Sequence, residues 1–164
     1  MLIKRYEDEG LIYKIRLQNI VLKTFLKNHE ESLKLASNIF NRKESSLWVI
    51  VISYYSMFYL ANAYIYVKGY KVGNKIAHKV TADVLKELSE DEISNDLIKE
   101  FSLASEEALD ISRNLANNFE KERIKRSRIQ YETTEKIKES KAFTSLNRAK
   151  LFSEKIINLI VRYY

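Results

Sequence analysis

The stretch Leu47–Val67 decides the fold: it reads LWVIVISYYSMFYLANAYIYV and passes 21 positions without a charge. Two apolar seams at three- and four-residue spacing run along it, which predicts an α-helix that is apolar on two sides. A surface helix needs only one such stripe, so one seam faces its own bundle and the other faces something else. A second subunit is the simplest candidate, and a central position in a larger bundle is the alternative. The residues predicted for this dimer interface are Trp48, Ile52, Tyr55 and Tyr59.

The same stretch is long enough to cross a lipid bilayer. However, Tyr54, Tyr55 and Tyr59 would lie in the middle of the span, whereas tyrosines of membrane helices prefer the two interfaces. We therefore expect a buried helix in a soluble protein, with no membrane partner and with most of its tyrosines in the core. The N-terminus turns acidic too early for a signal peptide, and we predict a cytoplasmic protein.

The composition points to a helical chain of 164 residues with no proline, no cysteine and three glycines. Few turn-forming residues argue against a sandwich or barrel and favour long helices. Apolar spacing predicts further helices within Leu11–Phe40, with a polar interruption at Lys27–Ser32, and then over the ranges that follow. These ranges are 74–88, begun by an Asn74 cap, 96–119 and 141–162. The predicted fold class is all-α, an up-and-down bundle of four to five helices in one domain.

The most basic segment is Lys121–Arg128, with five positive residues and one negative in eight positions, followed by Gln130 and Tyr131. Clustered guanidinium groups suit phosphate, because each offers a planar fork of donors to paired oxygens. Tyr131 could stack on a base or supply a hydroxyl. The alternative is a solvated basic helix end. The net charge of +6 makes an anionic partner plausible without identifying it.

Two histidines are present, His29 and His78, which is too few and too far apart for a metal-ligand cluster. We predict no metal and no cofactor. His78 lies between Lys75 and Lys79 on the first turn of a short helix, where backbone N–H groups attract anions. Its alternative role is a hydrogen bond to a neighbouring helix. His29 lies in a polar stretch and is predicted to be a surface residue.

Several stretches in consistent order, from about residue 31 to 160, resemble archaeal HEPN-domain proteins, and segment 1–30 is an additional helical segment. The matching stretches are Tyr54-Tyr-Ser-Met-Phe-Tyr59 with Ala61 and Ala63, Gly69, Lys71-Val-Gly-Asn-Lys-Ile-Ala-His-Lys79, Arg123-Ile-Lys-Arg-Ser-Arg-Ile-Gln-Tyr-Glu132 and Lys141-Ala-Phe-Thr-Ser-Leu-Asn-Arg-Ala149.

This resemblance implies a HEPN-like helical bundle that dimerises, with a polar cleft at the subunit interface. Many such proteins pair with a minimal nucleotidyltransferase as toxin and antitoxin. Active members are metal-independent ribonucleases with an Arg-x(4–6)-His motif, in which the arginine stabilises phosphate charge and the histidine moves protons. Here Arg126 has the spacing, but Tyr131 stands where the motif has histidine, and a phenol is a poor base near neutral pH. In some pairs a tyrosine near the motif is modified with AMP, and Tyr131 is the corresponding candidate.

Three hypotheses follow. The first is a homodimeric module that binds RNA or nucleotide phosphates and works with a nucleotidyltransferase. The second is an active ribonuclease toxin that uses Arg126, Tyr131 and His78. The third is a structural or protein-interaction bundle. The residues predicted to contact nucleic acid are Arg123, Lys125, Arg126, Arg128, Gln130, Lys75 and Lys79.

Overall fold

The computed structural model of the chain describes residues 1–89, 92–125 and 135–163, with the backbone alone for 118–125 and 135–138. These residues form six helices and one two-stranded sheet, which confirms the all-α bundle. In chain order the elements are α1 Leu2–Asp8, β1 Ile12–Lys14, α2 Asn19–Asn41, α3 Ser46–Val67, β2 Tyr70–Val72, α4 Ala77–Leu88, α5 Asn95–Lys125 and α6 Glu135–Tyr163.

Helix α3 is the centre of the bundle and is contacted by α2, α4, α5, α6 and β2. It begins where the Ser45 side chain accepts a hydrogen bond from the backbone N–H of Trp48, 3.3 Å away. It ends before Gly69, which takes the left-handed φ of 92° that is common for a glycine just after a helix. Fourteen of its 22 residues are buried, so its apolar character is explained largely by burial within this chain.

Among the described residues, α3 is the one helix with the length and apolar composition of a membrane span, and 72% of its most apolar window is buried inside the protein.

The N-terminal part differs from the predicted helix that starts at Leu11. Residues Ile12–Lys14 form β1, which pairs antiparallel with β2, Ile12 lying opposite Val72. The strand buries Ile12 and exposes the two residues after it, and its backbone pairs with β2 instead of forming helical hydrogen bonds. The backbone N–H of Gly73 donates to the Leu11 carbonyl at 2.8 Å, and a Cβ at Gly73 would lie 3.1 Å from that oxygen. The prediction of helix before Asn19 was therefore wrong over this strand.

Helix α2 is continuous through Lys27–Ser32, so the predicted interruption is absent. Within that stretch His29 is 2% exposed and is not on the surface as predicted. Its Nδ1 lies 3.0 Å from the Ser56 carbonyl oxygen, and its Nε2 lies 2.9 Å from the Ser153 hydroxyl. A polar side chain can sit in the core here because α3 and α6 supply its hydrogen-bond partners.

Candidate functional site

The candidate site is built around His78, the second residue of α4. Ile76, just before the helix, has a left-handed φ of 43° and is 59% exposed. A residue in that conformation cannot continue a helix, so α4 begins at Ala77 and Asn74 is not its cap, contrary to the prediction. His78 is on the first turn, as the sequence indicated, and it faces α3.

The Nδ1 atom of His78 is held by the hydroxyl of Tyr54, 2.7 Å away. Tyr54 is 1% exposed and comes from the middle of α3. The hydroxyl of Ser105, a buried residue of α5, donates in turn to the Tyr54 oxygen at 3.1 Å. Three helices thus meet at one chain of hydrogen bonds, and the alternative in which His78 bonds a neighbouring helix is confirmed.

Three aromatic rings surround the imidazole of His78. Its centroid lies 4.6 Å from that of Phe58, 5.5 Å from that of Tyr54 and 5.7 Å from that of Tyr55. Phe58 and Tyr55 are only half-buried themselves. The ring is therefore fixed on its α3 side by packing as well as by a hydrogen bond.

Burial has opposite effects on the two partners of this hydrogen bond. It lowers the pKa of His78 below its ordinary value of 6.5, because the charged imidazolium loses water. It raises the pKa of Tyr54 to about 12, so the phenol keeps its proton near neutral pH. The Nε2 atom of the half-buried His78 has no hydrogen bond to any described residue. A neutral imidazole anchored at Nδ1 thus presents Nε2 to a ligand.

Lys75 and Lys79 flank His78 in the chain and are exposed. Neither forms an ion pair with a residue that the structure describes. Two uncompensated ammonium groups beside an imidazole favour an anionic ligand.

At the residues predicted for the dimer interface, the described part of the chain leaves α3 partly uncovered. Trp48 is 51% exposed, and Ile52, Tyr55 and Tyr59 are half-buried. We call these four residues the open seam. Tyr55 belongs both to the open seam and to the rings around His78, so the two form one continuous surface.

The apolar seam that contains these four residues, here called the second seam, continues along α3 through Asn62 and Tyr66, and the chain itself covers those last two residues. Asn62 donates to the hydroxyl of Thr81 on α4 at 3.3 Å, and Tyr66 packs edge-on against Phe25 of α2. The second seam therefore lacks a covering element within the described chain only along its N-terminal half.

The other predicted site residues cannot be placed relative to His78. Arg126, Arg128, Gln130 and Tyr131 lie outside the described residues, and Arg123 and Lys125 are described only as backbone of α5. Three residues of this site were not predicted from the sequence to be site residues: Tyr54, Phe58 and Ser105. Tyr54 could have been found from the sequence, because a tyrosine in the middle of an apolar helix needs a buried hydrogen-bond partner for its hydroxyl.

No group of three or more histidine, aspartate or glutamate side chains that could hold a metal ion occurs in the part of the chain that the structure describes. No protein-family model matches the sequence, and no curated protein is similar to it.

Proposed function

We propose that this chain is a HEPN-like module that pairs with a second copy and binds RNA or nucleotide phosphates, with a minimal nucleotidyltransferase as its partner. The observation that carries the proposal is the ring contact between His78 and Tyr55. Through it, the surface suited to an anion is continuous with the helix face that the described residues leave open. A dimer formed over the open seam would have one such histidine from each copy at its edge.

The chemistry of the His78 surface favours phosphate as the anion. Lys75 and Lys79 supply positive charge, while Nε2 of a ring held in place supplies a directional hydrogen bond. The half-buried rings of Tyr55 and Tyr59 add apolar surface beside these charges. Nucleic-acid ligands combine phosphates with stacking surfaces of this type. The basic run Lys121–Arg128 gives the same expectation from sequence.

Binding of a short fluorescein-labelled oligouridine, followed by fluorescence anisotropy at low salt, tests the proposal. The variant Lys75→Ala/Lys79→Ala should weaken binding several-fold, because two phosphate contacts are lost. Its matched control is Lys23→Ala/Lys34→Ala, which removes the same charge from exposed positions of α2. The control should bind nearly as well as the wild type. Absence of wild-type binding, or an equal loss in both variants, would contradict the proposal and favour a protein-interaction bundle.

A second candidate function is that of a metal-independent ribonuclease. The hydrogen bond between His78 and Tyr54 favours it. An imidazole that is neutral near pH 7 and fixed by a buried tyrosine can take part in proton transfer. It would stand in for the histidine that the Arg126 motif lacks.

Incubation of RNA with the protein in EDTA tests the second candidate. Cleavage should give fragments with 2′,3′-cyclic phosphate ends, because the RNA's own 2′-hydroxyl attacks the phosphate. It should be lost in Arg126→Ala and in His78→Ala, and reduced in Tyr131→Phe. Intact RNA, or cleavage that survives all three substitutions, would leave binding as the function.

A further inference from the structure

We infer that Tyr54 and Ser105 are positioning residues that hold His78 in the tautomer with its proton on Nε2, so that His78 donates a hydrogen bond to its ligand. The tautomer depends on this chain's own geometry, whereas the identity of the ligand as phosphate rests on the proposed function.

The inference follows from counting protons along the chain of hydrogen bonds. The Ser105 hydroxyl donates to the Tyr54 oxygen, so it occupies an acceptor position there. The phenol of Tyr54 has one proton, and its remaining close partner is Nδ1 of His78 at 2.7 Å. Tyr54 therefore donates to Nδ1. Because a neutral imidazole carries one proton, that proton is on Nε2.

The behaviour of Ser105 differs from that of two neighbouring serines in α5. Ser102 and Ser112 donate to the backbone carbonyl four residues earlier, at 3.1 and 2.8 Å, as serines in helices commonly do. Ser105 instead directs its proton across to α3. At the buried end of this chain of hydrogen bonds, the Ser105 hydroxyl is therefore the donor and the Tyr54 oxygen is the acceptor.

The aromatic rings around His78 keep its Nε2–H group pointing away from α3, toward the side on which a ligand would bind. Nε2 lies across the imidazole from Nδ1, so fixing Nδ1 against α3 turns Nε2 away from α3. Phe58 packs on the ring at 4.6 Å and limits its rotation. A ligand reaching Nε2 therefore meets an N–H group rather than a lone pair, and phosphate oxygens accept such a bond.

Long-range ¹H–¹⁵N spectra of the ¹⁵N-labelled full chain, recorded at about pH 7.5, test the tautomer directly because the two ring nitrogens of neutral histidine differ in shift. The His78 signals are assigned by their loss in His78→Gln. In the wild type, Nε2 should carry the proton and Nδ1 should show the shift of an unprotonated nitrogen. In Tyr54→Phe the two shifts should move toward an average of both tautomers. Ser105→Ala should move them in the same direction by less.

The matched control is Tyr55→Phe, because Tyr55 touches His78 through its ring and gives no hydrogen bond to it. That variant should keep the wild-type shifts. Oligouridine affinity should fall about three- to tenfold in Tyr54→Phe.

A wild-type spectrum with the proton on Nδ1 would overturn the inference, and this result does not depend on whether Tyr54→Phe or Ser105→Ala folds. Tyr54→Phe with unchanged His78 shifts would overturn it as well. If the tautomer is as inferred but the wild type does not bind oligouridine, the proposed function fails and the positioning role stands.

Discussion

Both histidines of this chain bond to hydroxyl groups, but their surroundings give them different uses. His29 has both ring nitrogens bonded inside the bundle, to Ser56 and Ser153. His78 has one nitrogen bonded and the other without a partner among the described residues. A histidine satisfied on both sides stabilises the fold, whereas one with a remaining nitrogen can bind a ligand.

His29 makes the stability of the protein depend on pH. Burial lowers its pKa in the folded state, while the unfolded chain takes up the proton near the ordinary value of 6.5. The unfolded state therefore binds more protons below that pH, and stability falls as pH falls through it. We expect a loss of up to about 1 kcal/mol between about pH 6.5 and 5.5, measured by urea unfolding.

The variant His29→Gln should be less stable near neutral pH and should lose part of this pH dependence. His78→Gln is the control, since its half-buried ring is less desolvated and its removal should change the dependence less. A pH dependence that is the same in His29→Gln and in the wild type would contradict this explanation.

Two buried hydroxyl groups, those of Ser53 and Ser145, have no hydrogen-bond partner among the described residues. Burying an unpaired polar group costs free energy, so Ser53→Ala and Ser145→Ala should each raise the free energy of unfolding, by roughly 1 kcal/mol. Ser153→Ala should do the opposite, because it leaves Nε2 of His29 unpaired. Urea midpoints measure all three variants, and a clear loss of stability in the first two would refute the prediction.

At the scale of elements, uncharged apolar runs were the informative signal. The run from Leu47 to Val67 predicted α3 nearly to its ends, because a long apolar helix has few alternatives. Strand β1 could not be predicted, since its three residues acquire their structure by pairing with β2, 58 positions away in the chain. His29 was misplaced for a similar reason, because its partners Ser56 and Ser153 lie on other helices.

A polar cluster around Glu92 joins the ends of α3 and α6 to the segment before α5. Its carboxylate accepts from the Tyr64 hydroxyl at 2.6 Å and from Lys68 at 3.0 Å, and Tyr163 donates to it as well. The hydrogen bonds from Tyr163, Tyr64 and Lys68 lower the pKa of Glu92 from 4.5 to about 2.

A carboxyl group with a lowered folded pKa stabilises the protein above the pKa of the unfolded chain. This contribution is complete above about pH 5 and is lost as pH falls toward about 2. Glu92→Gln should therefore lower the free energy of unfolding at neutral pH. It should also lose less of that free energy than the wild type as the pH falls below about 5. Glu31→Gln is the matched control, because Glu31 is exposed and pairs only with Lys27 in the described structure, at 3.7 Å. Equal acid profiles for Glu92→Gln and the wild type would contradict the role of this cluster.

At the scale of the whole molecule, the open seam of α3 predicts a second copy. Tyr59→Glu would place a charge on that seam and should convert the dimer to a monomer in light scattering at micromolar concentration. Leu35→Glu is the control: Leu35 is 49% exposed on α2 and is not one of the four residues of the open seam. It should leave the dimer intact. A wild-type monomer, or a dimer unaffected by Tyr59→Glu, would contradict the predicted interface.

About half of the candidate site could be predicted from sequence. His78, Lys75 and Lys79 are neighbours in the chain, so their association is local and the sequence displays it. Tyr54 and Ser105 come from other helices, and their meeting at His78 depends on how α3, α4 and α5 pack. The arginine run was found by its charge alone, and its role remains a prediction.

If the protein binds RNA through phosphate contacts, as we propose, its affinity falls as the salt concentration rises. Anisotropy titrations of oligouridine from about 50 to about 500 mM salt should give a logarithm of affinity that falls linearly with the logarithm of salt concentration. Arg126→Ala/Arg128→Ala should bind more weakly, with a slope shallower by about 1.4, because each phosphate contact to a single strand contributes about 0.7. Wild-type affinity that is undetectable or independent of salt, or an unchanged slope in the double variant, would contradict RNA binding through phosphate contacts.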